Sequence, residues 1–240
     1  MSIFSRIALL LVCLALSACS PKKPQEPESW APSKAAINRN ITIWIDAGHG
    51  GVDPGATNRK FKLQEKTLCL KTAQLVQKKL VAMGYCVRML RPKDEYVSLD
   101  KRVSIANSDR YSVMVSIHFN SARNTAADGV EVYYYSPERG LTDLHRLSKI
   151  LATKIEKKVI ASTKATTRGV KIGSFRVIRS SAMPSCLIEG GFLTNAKEAK
   201  KLSQSSYLNY LANGIAEGID AFCLEYSSKV HNLKNSSALN

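Results

Sequence analysis

Residues 41–56 read ITIWIDAGHGGVDPGA, and this stretch decides the fold class. Its first six residues are mostly apolar and β-branched, and a glycine-rich segment follows at once, which is the pattern of a buried strand that ends in a loop. His49 lies in that loop. In α/β proteins, functional side chains collect in the loops at the carboxyl ends of strands. His49 is therefore the first candidate for a functional residue.

Strand and helix patterns alternate beyond this stretch. Further strands are expected at residues 85–90, 111–119, 129–135, 169–180 (interrupted by Gly173) and 185–189. Helices are expected at residues 64–83, 98–107, 142–160, 195–202 and 206–224. The alternation predicts a single α/β domain over residues 41–226, with a twisted, mostly parallel or mixed central sheet flanked by helices. A polar tail is expected over residues 227–240.

Residues 1–40 have the features of an export and attachment signal. A short basic start, the apolar run 7–16 and the small residues that follow predict a signal peptide over residues 1–18. Leu16-Ser17-Ala18-Cys19 resembles a bacterial lipobox, which predicts lipidation of Cys19, and simple cleavage near Ala18 is the alternative. The proline-rich residues 19–40 are expected to form an extended tether. Both alternatives predict an exported, periplasmic protein, and lipidated Cys19 would anchor it to a membrane.

The charge of the chain predicts an anionic partner. Its 240 residues include 35 Lys and Arg against 19 Asp and Glu, a formal net charge of +16. Because the export signal argues against nucleic acid, the charge favours anionic polymers or lipids of the cell envelope. No apolar stretch of about 18 residues follows the N-terminal segment, so no internal membrane span is expected. We expect a monomer.

Four cysteines fall within the predicted domain, and none forms a CxxC pair: Cys69, Cys86, Cys186 and Cys223. A zinc ribbon or a redox motif is therefore not expected. Export permits disulfides, whereas the apolar surroundings of these cysteines favour buried free thiols, and both states remain open.

Two histidines lie at the ends of predicted strands, and one glutamate lies near the start of a predicted helix. His118 ends the apolar strand 111–119, and Glu65 lies near the start of the helix after the His49 loop. Two histidines and one carboxylate form a common ligand set for catalytic zinc, which keeps a fourth position for water. Spacing alone fits equally well with core or capping histidines and with a first-turn acid that the helix dipole favours.

A further carboxylate could move protons beside such a site. Glu189 ends the apolar strand 185–189, and Gly190 and Gly191 follow it in a turn that would expose it at the edge of the sheet. A zinc hydrolase needs a carboxylate that is not a ligand, which takes a proton from water and returns it to the leaving amine.

Four segments of the chain carry a family resemblance: residues 41–56 above, LQEKTLCLKTAQLVQKKLVAMGYCVRMLR (63–91), VSLDKRVSIANSDRYSVMVSIHFNS (97–121) and SAMPSCLIEGGFLTN (181–195). Over about residues 41–225 the chain resembles the zinc-dependent N-acetylmuramoyl-L-alanine amidases. The resemblance implies His49, Glu65 and His118 as ligands of one Zn²⁺, and Glu189 as general base and acid on the zinc-bound water. The implied substrate is peptidoglycan or its lipid-linked precursor, cut between N-acetylmuramic acid and L-alanine.

Weaker expectations concern neighbouring residues. Asn120 could contact substrate, orient a ligand or form a turn, and Asp46 could hydrogen-bond a ligand histidine or close its strand. Gly48, Gly50 and Gly51 are expected to let the backbone pass close to the metal. Structural ion pairs are expected for Arg91, Arg102 and Arg179, and no metal is expected at His145 or His231.

Two other functions remain open, and one feature of the family is not expected. Ser98 and Lys101 match the SxxK pattern of penicillin-binding serine enzymes, which would act as D,D-carboxypeptidases, although Ser98 also suits a helix cap. A catalytically dead wall-binding module is the other alternative. Some relatives carry a helical insert after the strand of His118 that plugs the zinc site. We expect none here, and thus an open cleft that needs no activator.

Overall fold

The computed structural model describes the backbone of residues 41–109 and 112–237 and the side chains up to residue 226. The predicted signal peptide, the tether and the lipidation site at Cys19 lie outside the described residues. The strands are β1 (Thr42–Ala47), β2 (Thr57–Asn58), β3 (Leu63–Gln64), β4 (Cys86–Met89), β5 (Ser112–Asn120), β6 (Val130–Tyr134), β7 (Thr167–Ile172) and β8 (Ser185–Phe192). The helices are α1 (Glu65–Ala82), α2 (Leu99–Ala106), α3 (Asp143–Thr163), α4 (Arg176–Arg179), α5 (Ala196–Leu202) and α6 (Ser205–Ser237).

Six strands form one mixed sheet in the order β4-β1-β5-β8-β6-β7. Neighbouring strands are parallel except β6 and β8, which are antiparallel. The short strands β2 and β3 form a separate antiparallel pair. The α/β fold with a mixed central sheet flanked by helices is therefore confirmed. The carboxyl ends of β1, β5 and β8 meet at one edge of the sheet.

The two faces of the sheet bury separate apolar clusters. Residues such as Ile43, Val115 and Ile188 face the larger cluster, to which α1, α3 and α6 contribute. Trp44 and Met114 face the smaller one, which α2 and α4 complete. Each fully buried aliphatic side chain contributes about 1.5–3 kcal/mol, so the larger cluster dominates the stability of the domain.

Two glycines let α6 approach α3 closely. A Cβ atom at Gly214 would lie 2.5 Å from the Cα of Val159, and one at Gly218 would lie 2.4 Å from the Cα of Ile155. No side chain fits in either space, because these neighbours are backbone atoms that cannot turn away. The pair therefore sets the distance between the two helices.

Three details differ from the sequence-based expectations. Strand β8 continues beyond Glu189 to Phe192, so Gly190 and Gly191 lie within the strand and do not form the expected turn. The predicted strand 169–180 ends at Ile172, and Arg176–Arg179 form a short helix instead, because one helical turn buries Val177 and Ile178 in the smaller cluster. The last helix continues to Ser237, through most of the stretch predicted as a tail.

Two further findings concern the cysteines and the membrane. Cys69, Cys186 and Cys223 are buried and Cys86 is exposed, and all four are free thiols. Within the described part of the chain, no helix combines the length and apolarity that a bilayer crossing requires.

Candidate metal centre

His49, Glu65 and His118 converge at the carboxyl edge of the sheet. His49 follows β1, Glu65 is the first residue of α1, and His118 lies near the end of β5. Glu65 Oε1 lies 2.9 Å from His49 Nε2 and 2.9 Å from His118 Nδ1. One potential ligand atom from each residue lies within 4.8 Å of the others. The three residues that the sequence singled out therefore form a cluster that could hold a metal ion.

Hydrogen bonds keep the Glu65 side chain charged. Glu65 is buried, and burial alone would raise its pKa, but hydrogen bonds from His118 and His49 hold the pKa well below its usual range. The backbone N–H groups of Ala56 and Phe119 also donate to its two oxygens, at 2.8 and 3.2 Å. The cluster thus contains a carboxylate that four hydrogen bonds hold in place.

Asp53 orients His49, a role that the sequence analysis missed. Its Oδ2 lies 2.8 Å from His49 Nδ1, which directs Nε2 toward Glu65. Burial lowers the pKa of His49, but hydrogen bonds to Glu65 and Asp53 outweigh it and raise the pKa overall. A carboxylate on the second nitrogen of a ligand histidine is a common partner at metal sites. The signal in the sequence was an acid four residues after His49 in the same loop.

The loop that carries His49 passes directly over His118. A Cβ atom at Gly48 would lie 2.3 Å from the His118 ring, so only glycine fits there. His49 itself has a φ of 60°, a left-handed conformation that is uncommon outside glycine. The backbone thus passes close to His118 at Gly48, whereas Gly50 and Gly51 lie against Glu95 and Tyr96.

Arg102 and Asp46 form a buried ion pair beneath this loop. Arg102 Nη1 lies 2.5 Å from Asp46 Oδ1, and Ser116 Oγ donates to the other oxygen of Asp46 at 2.7 Å. The same guanidinium donates to the carbonyl groups of Ala47 and His49. Asp46 therefore contacts Arg102 and Ser116 rather than a ligand histidine, contrary to one expectation. The pair holds the backbone that presents His49.

Arg91 and Arg179 form no ion pair within the described part of the chain, contrary to expectation, and donate to neutral oxygens instead. Arg91 is fully buried and donates to the carbonyl groups of Ala47, Gly48 and Lys66 at 2.7–2.8 Å. Arg179 donates to the hydroxyl of Ser174. A guanidinium carries five N–H donors, so the buried Arg91 can bind several carbonyl oxygens at the end of β1 and its loop at once.

Replacing Arg102 with methionine is expected to lower the free energy of unfolding by about 3–5 kcal/mol, because Asp46 would remain buried without its charge partner. Urea unfolding measures this loss. Arg146→Met is the matched control, since its pair with Asp143 leaves 62% and 86% of the two side chains exposed. That control should cost less than about 1 kcal/mol. Equal losses in the two variants would contradict the role assigned to Arg102.

Glu189 lies beside the cluster on the next strand. It pairs with His118 in the register of β5 and β8, so both side chains leave the sheet on the same face. Its Oε2 is buried and has no hydrogen-bond partner among the described residues. Burial, with the nearby charges of Glu65 and Glu131, raises its pKa well above the usual value. A carboxyl group that can hold a proton therefore stands next to the cluster.

Glu131, on the far side of Glu189, was missed by the sequence analysis. It pairs with Glu189 in the register of β6 and β8 and is 3% exposed. Asn120 Nδ2 donates to Glu131 Oε1 at 2.7 Å, and the Asn120 carbonyl accepts from Leu193. Asn120 thus orients Glu131 rather than one of the three clustered residues. A single acid within an apolar strand pattern was the only signal for Glu131.

The remaining candidates lie apart from the cluster. Ser98 caps α2 and accepts from the backbone N–H of Lys101, and both residues are exposed. His145 takes part in the N-terminal cap of α3 with Thr142. His231 lies in the part of α6 whose side chains are not described, and Cys19 precedes the described residues.

Comparisons with known proteins agree with this fold. The sequence model described as N-acetylmuramoyl-L-alanine amidase matches residues 43–221. The chain is 38% identical over 191 residues to a sporulation-specific N-acetylmuramoyl-L-alanine amidase of Bacillus subtilis, covering 78% of this chain and 71% of the relative. A solved amidase from Clostridium difficile 630 is 36% identical with a TM-score of 0.71, covering 77% of this chain and 97% of that one.

A second solved structure gives the same result. The catalytic domain of the amidase CwlV from Bacillus (Paenibacillus) polymyxa is 37% identical with a TM-score of 0.70, covering 76% of this chain and 97% of that domain. The family match spans most of the chain and includes all four residues that carry the resemblance: His49, Glu65, His118 and Glu189. The chain is therefore an enzyme and belongs to the N-acetylmuramoyl-L-alanine amidase family.

Proposed function

We propose that this enzyme hydrolyses the amide between N-acetylmuramic acid and L-alanine in peptidoglycan with one zinc ion. The observation that carries the proposal is the cluster of His49, Glu65 and His118 beside Glu189, whose buried Oε2 has no hydrogen-bond partner among the described residues. The family match supports the amide as the bond that is cut. Neither polymerised wall nor lipid-linked precursor is favoured by any feature of the site.

The donor set of the cluster suits zinc. Two imidazole nitrogens and one carboxylate oxygen form the ligand set of many catalytic zinc sites, which leave one position open. Glu65 Oε1 lies between His49 Nε2 and His118 Nδ1, at 2.9 Å from each, so the three potential ligand atoms face one point. When bound, zinc supplies the Lewis acidity that polarises the scissile carbonyl group and activates water.

Glu189 is proposed to carry the proton through the reaction. In its ionised form Glu189 can accept a proton from the attacking water at Oε2, which has no competing hydrogen bond among the described residues. The same oxygen can then deliver that proton to the nitrogen of L-alanine as the amide bond breaks. Asp53 assists from a distance, because it fixes the ring of His49 through Nδ1.

The N-terminal segment is proposed to deliver this activity to the cell envelope. A signal peptide over residues 1–18, a lipidated Cys19 and a proline-rich tether over residues 19–40 would place the enzyme outside the cytoplasm and attach it to a membrane. The net charge of +16 would favour contact with anionic wall polymers or lipids. We propose a monomer that has no role with nucleic acid.

The purified enzyme is expected to act without an activator. Residues 121–129, between β5 and β6, form a loop that contains no helix, so no plug follows the strand of His118. Incubation with isolated peptidoglycan, followed by mass analysis, should yield intact stem peptides with a free L-alanine amine. Protein that remains inert until a partner is added would contradict the open cleft. Loss of terminal D-alanine would contradict the amidase reaction.

The serine alternative is tested by removing its nucleophile. Ser98→Ala is expected to lower the free energy of unfolding by about 1 kcal/mol through loss of the cap of α2, with hydrolysis unchanged. Asn195→Ala is the matched control, because Asn195 caps α5 by accepting from Lys197 and Glu198. A rate that falls in Ser98→Ala but not in Asn195→Ala would favour the serine mechanism with Lys101.

A further inference from the structure

Glu131 anchors a polar network and has no free oxygen for other chemistry. Its Oε1 accepts from Asn120 Nδ2 at 2.7 Å and from the hydroxyl of Tyr133 at 2.8 Å. Its Oε2 accepts from Arg168 Nε at 2.9 Å and from the ammonium group of Lys171. Each oxygen thus has two donors, and the carboxylate is buried. Glu131 therefore fixes the positions of the groups around it.

Arg168 and Lys171 retain capacity to bind a second anion. Their side chains are 36% and 38% exposed, and Glu131 is the only acid that pairs with either among the described residues. Two cations against one carboxylate leave one unit of positive charge. Arg168 lies 5.0 Å over the ring of Phe192, and Lys171 lies 5.9 Å from the ring of Tyr133. Both cations are thus held in place while part of each faces solvent.

The order and register of the strands place this pair on the side of Glu189 that faces away from the metal ligands. Glu189 pairs with His118 on one side and with Glu131 on the other. Adjacent strands lie about 4.8 Å apart. Glu131 is on β6, one strand beyond Glu189 and away from the metal ligands, and the two cations reach its Oε2 from β7, the next strand. Glu189 would protonate the amine of L-alanine, and the next residue of an extended peptide lies about 3.5 Å further along. That residue would come to the side of the sheet where the cations lie.

We propose that Arg168 and Lys171 form a subsite that binds the free carboxylate of the stem-peptide residue after L-alanine. An Arg–carboxylate pair is charge-assisted and directional, so the subsite would distinguish a carboxylate from the carboxamide of the same shape. The inference rests on the proposed function, because its ligand is part of the peptidoglycan stem. The subsite would select among stem peptides, and its two residues neither contact the metal ligands nor transfer a proton in the reaction.

Two matched substrates test the subsite. N-acetylmuramoyl-L-alanyl-D-glutamate with a free α-carboxylate is compared with the same compound as its α-carboxamide. For the zinc-loaded enzyme, kcat/KM should be about tenfold higher for the carboxylate, the ratio that one charge-assisted contact of about 1.4 kcal/mol produces. Arg168→Gln and Lys171→Met should each reduce this ratio to about twofold. Lys157→Met, which removes an exposed charge on α3, should leave the ratio unchanged.

A binding measurement on an inactive variant tests the subsite independently of the reaction. Calorimetry on the zinc-loaded Glu189→Gln enzyme should show that the carboxylate compound binds about tenfold more tightly than the carboxamide compound. The ratio of the two affinities should fall to about twofold when Arg168 or Lys171 is also replaced. Equal binding and equal turnover of the two compounds would overturn the subsite and leave the proposed function intact. Preferential binding without turnover of either compound by the wild-type enzyme would support the subsite and overturn the proposed function. A preference that survives both cation replacements would also overturn the subsite.

Discussion

Replacing Glu189 with glutamine is expected to lower the rate of amide hydrolysis by about 10²–10⁴-fold while zinc stays bound. Glutamine keeps the shape of the side chain but cannot take up or release the proton that the reaction moves. The change also leaves His49, Glu65 and His118 in place, so the metal content of the protein should not change. Muropeptide turnover and metal analysis on the same sample measure the two effects.

Glu138→Gln is the matched control for this prediction. Glu138 is exposed between β6 and α3, and its replacement removes the same charge far from the cluster. Its rate should equal that of the unaltered enzyme. Full activity in Glu189→Gln would overturn the proposed mechanism. Unaltered protein that binds peptidoglycan but never cuts it would favour the dead wall-binding module.

Replacing His49 or His118 with alanine is expected to weaken zinc binding by at least about 100-fold and to abolish hydrolysis. Each change removes one of the proposed ligands, and loss of even an outer partner of a zinc site costs about 10–100-fold in affinity. Equilibrium dialysis against buffered zinc measures the affinity, and muropeptide turnover measures the activity.

His145→Ala separates this effect from the loss of any histidine. His145 contributes to the cap of α3 and lies outside the cluster, so zinc affinity and turnover should both persist, with a modest loss of stability. Zinc affinity that stays unchanged in His49→Ala would contradict its place in the metal site. A comparable loss in His145→Ala would show that the effect is a general loss of folding.

The cluster was largely predictable because its residues lie at the boundaries of clearly patterned elements. His49 follows an apolar β-branched strand, His118 ends a longer one, and Glu65 begins a helix. Carboxyl ends of parallel strands meet at one edge of a sheet, so the convergence of these side chains follows from the fold class. Their chemical roles came from the family resemblance, since spacing alone fitted structural histidines equally well.

The groups around the cluster were harder to predict because their partners are distant in the chain. Glu131 lies 37 and 40 residues from Arg168 and Lys171, and no periodic pattern connects positions on β6 and β7. Asp46 was expected either to contact a histidine or to close its strand, and in the structure it pairs with Arg102 of α2, 56 residues away in the chain. Such contacts depend on strand order and direction, which the alternation of elements does not define.

The short helix α4 shows the limit of local pattern. Val177 and Ile178 are apolar and β-branched, so they favoured continuation of the preceding strand. In the structure β7 ends at Ile172, and the two residues are buried from a helical turn instead. The predicted strand was wrong here because a strand and a helical turn can both bury two adjacent side chains over so short a stretch.

The most direct test of the central claim is the metal dependence of one identified product. The purified, zinc-loaded enzyme is incubated with a defined muropeptide, and the products are identified by mass before chelation, after chelation and after zinc is returned. The proposed site predicts an intact stem peptide with a free L-alanine amine, lost with the metal and recovered with it. Release of the same peptide at an undiminished rate in the chelated sample would contradict the account.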